Sequence, residues 1–130
     1  MNSQAMNPPR FLILALAFLG IALGGCTQVQ LAPDIQGEFA LGELQVLVDE
    51  NFADSYNAAK RAIADLDLFQ TMDDRKVVEA ELRARDTTDT IVTIKIKELG
   101  PDRTSIKIRY GLPGSLPPAQ DVYRAIERRL

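Results

Sequence analysis

The 130-residue chain has no histidine, no tryptophan and a single cysteine, Cys26. The missing histidine excludes His-dependent acid–base catalysis and both Ser–His and Cys–His nucleophiles. Together with the one cysteine it also excludes Cys/His zinc sites. A lone cysteine cannot form a disulfide within the chain. Charge of one sign is not in large excess. Fifteen Lys and Arg stand against 18 Asp and Glu, net −3, so no global basic field points to nucleic acid. No phosphate-cradling glycine loop, internal repeat or low-complexity tract is present. What remains is ordinary for one soluble domain: 46% hydrophobic and 25% charged residues.

One long apolar run exists, Phe11 to Leu23 (FLILALAFLGIAL). Arg10 precedes it and Gly24-Gly25-Cys26 follows. A charged start, a short apolar core and small residues before a cut are the layout of a secretory signal. From Phe11 to Gly25 a helix would span about 22 Å at roughly 1.5 Å per residue. A bilayer core of about 30 Å disfavours it as a stable single span. Leu23-Gly24-Gly25-Cys26 resembles the bacterial lipobox, an aliphatic and two small residues before a cysteine. The resemblance implies cleavage before Cys26, a diacylglyceryl thioether on its sulfur and acylation of the new amino group. An ordinary cysteine in a cleaved secretory signal is the plainer alternative. Thr27 rather than Asp follows Cys26, which in the usual Gram-negative sorting pattern implies the periplasmic face of the outer membrane. Loss of residues 1–25 takes the 15 basic side chains to 14 against 18 acidic, net −4.

Three regions are therefore expected: a signal peptide over 1–25, a lipidated Cys26 with a tether to residue 37, and a single domain over 38–130. Within that domain Glu38 to Val48 alternates like a strand whose phase shifts at Gly42-Glu43, suggesting a bulge or kink. Phe52, Tyr56, Ala59, Ile63 and Leu66 form one stripe of a helix with Asn51 as N-cap. Strands are expected over 77–86, 90–99 and 104–111. Each has one apolar and one charged face, typical of antiparallel sheets. Phe69 to Met72 is read as an extension of the first of these or as a short separate piece. After a Pro-rich loop, Ala119, Val122, Tyr123, Ile126 and Leu130 line a second helix. The order β-α-β-β-β-α predicts an α+β two-layer sandwich: a mostly antiparallel four-stranded sheet with two helices on one face. A single helix between the first two strands predicts that they run parallel.

Inward residues must pair with inward residues, so partners have an even sum. This sets Glu81 opposite Lys95, Glu79 opposite Lys97, Lys95 opposite Lys107 and Thr93 opposite Arg109. The outward face then carries Arg83, Arg85, Lys95, Lys97, Lys107 and Arg109 against Glu79 and Glu81, a local excess of four positive charges. Two readings fit it. One is a solvated face of long side chains that blunts aggregation. The other is a surface for an envelope protein or an anionic envelope component such as lipid head groups or glycan. No aromatic projects from it, which speaks against nucleic acid. The carboxylate pairs Asp73-Asp74 and Asp86/Asp89 sit where turns favour Asp and lack calcium-loop spacing. Ser55, Ser105 and Ser115 have no histidine partner. No catalytic, metal or cofactor site is therefore assigned.

From about Gly42 to Leu130 the chain resembles a family of small bacterial lipoproteins whose domain is of unknown function. The likeness rests on Gly42-Glu43-Leu44, Val92-Thr93-Ile94-Lys95-Ile96-Lys97, Thr104-Ser105-Ile106-Lys107-Ile108-Arg109-Tyr110-Gly111, and Gly114. Family members often carry an acidic residue after the second glycine, where this chain has Ser115. The resemblance implies a membrane-attached envelope protein and supplies no activity, cofactor or catalytic residue. The resulting expectation is a non-enzymatic binding or envelope-support module. A small-ligand or lipid carrier using a cavity between helices and sheet is the first alternative, and an enzyme the second.

Overall fold

The computed structural model describes residues 26–32 and 35–130. The expected signal peptide, residues 1–25, lies outside them. Alternation builds most of the strands: β1 (Thr27–Ala32), β2 (Ile35–Ala40), β3 (Glu43–Val48), β4 (Phe69–Arg75), β5 (Glu79–Arg85), β6 (Ile91–Gly100) and β7 (Arg103–Tyr110). Helix α1 (Phe52–Asp65) separates β3 from β4, and α2 (Leu116–Glu127) closes the chain. The strands form one seven-stranded sheet in the order β1-β2-β3-β7-β6-β5-β4, antiparallel at every junction. The class remains α+β, but the expected four-stranded sheet is corrected to seven strands.

The added strands have physical causes. Residues 27–37, expected as a tether, instead supply β1 and the first half of β2. Gln28 and Gln30 alternate with Val29 and Leu31, and Leu31 is buried. Gly37 leaves the space this needs, since a Cβ there would meet Leu31 Cδ1 and Leu44 Cδ1, each at 3.0 Å. The phase shift at Gly42 is a turn rather than a bulge. Ala40 pairs with Glu43, and Leu41 and Gly42 have φ of 54° and 77°. Two central residues with positive φ mark a type I′ hairpin.

Phe69–Arg75 is a full edge strand paired with β5, and it also corrects the expected strand direction. The strand that follows α1 is β4, which does run in the direction of β3, with three strands between them. The next strand, β5, turns back and is antiparallel in sense to β3. The expected parallel relation is thus realised one strand earlier than anticipated.

The expected register is observed: Glu81 opposite Lys95, Glu79 opposite Lys97, Lys95 opposite Lys107 and Thr93 opposite Arg109. The β5–β6 loop closes with Asp86 N donating to Thr90 O at 3.1 Å, and Asp89 takes a positive φ of 66°. At the β6–β7 turn a bulge between Glu98 and Gly100 absorbs one residue without disturbing the pairs behind it.

Both helices cover one face of the sheet. Phe52, Tyr56, Ala59 and Ile63 from α1 and Ala119, Val122, Tyr123 and Ile126 from α2 are buried against it. Beneath them lie Leu44, Val46, Leu82, Ile94, Ile96, Ile106 and Ile108, each at most 1% exposed. Burial of side chains this size stabilises by about 1.5–3 kcal/mol apiece before entropy is counted. Asn51 caps α1, its Oδ1 accepting from Asp54 N at 2.8 Å. Thr104, fully buried, donates its hydroxyl to Glu50 O at 2.7 Å and ties β7 to the β3–α1 link. Among the described residues no helix is long and apolar enough to cross a membrane.

Candidate functional site

Strand alternation decides which side chains leave the core, so the uncovered face of the sheet is built residue by residue from the pairings. Cys26 lies one residue before β1 and is exposed. A hydrogen bond with Glu38 and the carboxylate's charge push its thiol pKa up, so thiolate chemistry is disfavoured there.

The six predicted basic residues all sit on the uncovered face but fall into two groups. The arginines are tied down. Arg83 pairs with Glu81 at 3.2 Å and Arg85 with Asp89 at 3.0 Å. Arg109 approaches Glu43 at 4.0 Å and donates from Nη1 to Pro113 O at 2.8 Å. Lys95, Lys97 and Lys107, on the central strands, make no ion pair within 4.0 Å among the described residues. The expected excess of four positive charges also shrinks. Register places Asp74 opposite Glu81 and Glu38 opposite Gln45, and Glu43 heads β3 on the same face. Lys76 joins the rim, 3.9 Å from Glu79. Arg103 begins β7 in phase with Lys107 and Arg109, so among the described residues eight cations face five carboxylates.

The face is concave. A hollow of about 480 Å³ is lined by Lys95, Lys97, Lys107, Glu81, Gln45 and Ser105, among others. Gln45 donates to Ser105 Oγ at 3.3 Å and also borders a second hollow of about 220 Å³ formed with Gln28, Gln36 and Glu38. Polar groups thus run along the sheet from the lysines to the glutamines. Both hollows lie opposite the helices. Neither of these hollows lies between the helices and the sheet, where the carrier alternative places its cavity.

Two polar networks off this face escaped the sequence reading. Asp73 and Asp74 alternate, so Asp73 turns to the helix side. There Tyr56 Oη donates to its carboxylate at 2.7 Å and Lys60 Nζ lies 3.0 Å away. The hydrogen bond from Tyr56 is the main cause that lowers the Asp73 pKa, whereas burial foremost raises that of Tyr56. The guanidinium of Arg75 sits 4.6 Å from the Tyr56 ring centre and 5.6 Å from that of Phe52. The helical spacing of Tyr56 and Lys60 was a visible signal, but their partner comes from a strand the sequence pattern underweights.

In the second network Asp86 accepts from Tyr110 Oη at 2.7 Å and from the backbone N–H groups of Thr88 and Thr90 at 2.9 Å each. These bonds, led by that of Tyr110, lower its pKa to about 2. Burial, then the bond to Asp86, pushes Tyr110 up to about 12. Both carboxylates have donors facing them and sit on different elements, an arrangement that fastens structure rather than pairing an acid with a base. No group of three or more His, Cys, Asp or Glu among the described residues is placed to hold a metal.

The family described as a protein of unknown function (DUF3568) matches residues 10–129, nearly the whole chain, and the chain belongs to that family. No curated protein matches the chain.

Proposed function

We propose that the chain is an exported bacterial lipoprotein, cut before Cys26 and acylated there. Its place is the periplasmic face of the outer membrane, and its domain is a binding or envelope-support module rather than an enzyme. One observation carries this reading: the sole cysteine follows an apolar run too short to span a bilayer and stands exposed at the head of β1. The family match begins at Arg10 and so takes in that run and the cysteine. Thr27 in place of Asp supports the outer-membrane assignment. Two or more acyl chains give stable anchoring where one gives only marginal binding.

The test is intact mass measurement of protein extracted from cell membranes. Acyl mass on Cys26 is expected, with unprocessed precursor accumulating in Cys26→Ser. A free thiol on Cys26 would overturn the reading. The binding surface in this reading is the hollow around Lys95, Lys97 and Lys107, whose ammonium groups suit an acidic group of an envelope partner. Charge reversal at Lys95, Lys97, Lys107 and Arg109 should reduce the partners captured by crosslinking in cells while the domain stays folded. An unchanged partner set would remove the surface from the proposal and leave the anchor.

A further inference from the structure

Strand direction gathers several chain segments at the end of the sheet where Cys26 lies. β1 and β3 begin there, and β2 and β7 finish there, because Thr27 pairs with Phe39, Ala40 with Glu43, and Leu44 with Ile108. The β2–β3 turn and the loop after β7 therefore project from that end. The two connections touch backbone to backbone. A Cβ on Gly42 would fall 1.8 Å from Pro113 O, and one on Gly114 would fall 2.0 Å from Gly42 O. Arg109, on Pro113 O and beside Glu43, braces the same junction.

From this braced junction two large aliphatic side chains project into solvent, Leu41 at 93% exposure and Leu112 at 83%. Leu41 is the more telling. It occupies a positive-φ turn position that type I′ geometry favours for Asn, Asp or Gly. A branched apolar residue there is disfavoured by its backbone and by its exposure together.

We infer that this end of the sheet is a bilayer-contacting rim, in which Leu41 and Leu112 enter the interfacial layer of the membrane to which Cys26 is fixed. The inference rests on the acylated Cys26 proposed above. β1 starts at Thr27, so only about 3.6 Å of chain separates the anchored residue from the sheet. The β7 end lies three strand spacings from β1, about 14 Å. The domain cannot swing free of the surface, and its nearest apolar groups face the lipid. The strands then stand steeply on the membrane, with the lysine hollow facing sideways and open to partners. Phe69, 74% exposed, begins β4 at the same end of the sheet but on the opposite edge. It is six spacings away, about 29 Å, and turned aside by twist of roughly 20–25° per strand. It is the internal control.

The absence of tryptophan makes the test clean. Leu41→Trp, Leu112→Trp and Phe69→Trp are introduced singly into the full acylated chain. Each is reconstituted in phosphatidylethanolamine–phosphatidylglycerol vesicles containing brominated lipid, and intact mass is recorded for each preparation. The Trp at 41 and at 112 should emit at shorter wavelength and be quenched several-fold more than the Trp at 69. An acylated chain with equal quenching at all three positions, or with quenching only at 69, overturns the rim and leaves the anchor. Emission shifts at 41 and 112 that need added envelope protein rather than lipid overturn it in favour of a protein contact. An unacylated Cys26 overturns the anchor and the rim together.

Discussion

The two edges of the sheet are held by different physics. At one edge β1 and β2 are uncharged but for Glu38, and they are fixed by Leu31 over Gly37 and by the backbone contact of Gly42 with Gly114. At the other edge β4 carries Asp73, Asp74 and Arg75. It is fixed to α1 by Tyr56 and Lys60 on Asp73 and by Arg75 over two aromatic rings. The first edge depends on the absence of side chains where backbones meet. The second depends on charge and hydrogen bonds at a half-wet boundary. An edge strand, the part of a sheet most open to unwanted pairing, can be secured either way.

The sharpest way to break the first edge is Gly114→Val. It places a Cβ against Gly42 O at a φ of 112° and should cost about 3 kcal/mol or more by combined strain and overpacking. Urea unfolding measures this. The same change at Gly100, where the nearest atom is Arg103 Cβ at 4.0 Å, should stay within about 1 kcal/mol. Equal losses at both positions would show that the junction holds nothing.

The matching cut at the second edge is Asp73→Ala. It strands the Tyr56 hydroxyl and should cost about 1–2 kcal/mol, most of it from the hydrogen bond rather than from the half-exposed Lys60. Amide exchange should rise in β4 and not in β1.

Acid separates the edges further. The Asp73 and Asp86 carboxyls are held below their ordinary value of 3.8 when folded. The unfolded chain therefore takes up protons first as pH falls. Their stabilisation is complete above 3.8 and is lost as pH drops through the folded values, about 2 for Asp86. Asp86→Asn should flatten the unfolding midpoint across that window. On the alkaline side Tyr110, raised to about 12, contributes stability that is full below 10.0 and disappears as pH climbs through its folded value. A wild-type midpoint that does not move between pH 3.8 and 2 would count against the Asp86 network.

The smallest expected effect has the opposite sign. Leu41→Asn relieves a left-handed backbone and should stabilise the domain by about 0.5 kcal/mol. It should also weaken bilayer contact. A variant that is less stable would mean that Leu41 packs in the folded domain.

Where a strand has one dry and one wet face, its sequence was sufficient. β5, β6 and β7 were legible to the level of individual cross-strand pairs, because a slip of one residue would expose Ile94, Ile106 and Ile108. The α1 stripe was legible for the same reason. β1 and the first half of β2 were not, since glutamines on one side and Pro33 and Gly37 within the stretch look like a linker until Leu31 is seen filling the room Gly37 leaves. β4 was underread because its inward residues, Asp73 and Arg75, are charged and find their partners on a helix.

The sequence by itself determined the central ladder, the two helices, the apolar run ahead of Cys26, and the chemistries that a chain without histidine cannot perform. Those follow from composition and from periodicity, which act over a few residues. Only the tertiary structure decided the sheet's width, the pairing of the three arginines while Lys95, Lys97 and Lys107 make no ion pair among the described residues, and the meeting of Gly42 with Gly114. It also decided that Cys26, Leu41 and Leu112 share one end. These depend on which strands become neighbours, and local pattern carries no information about neighbours far apart in sequence.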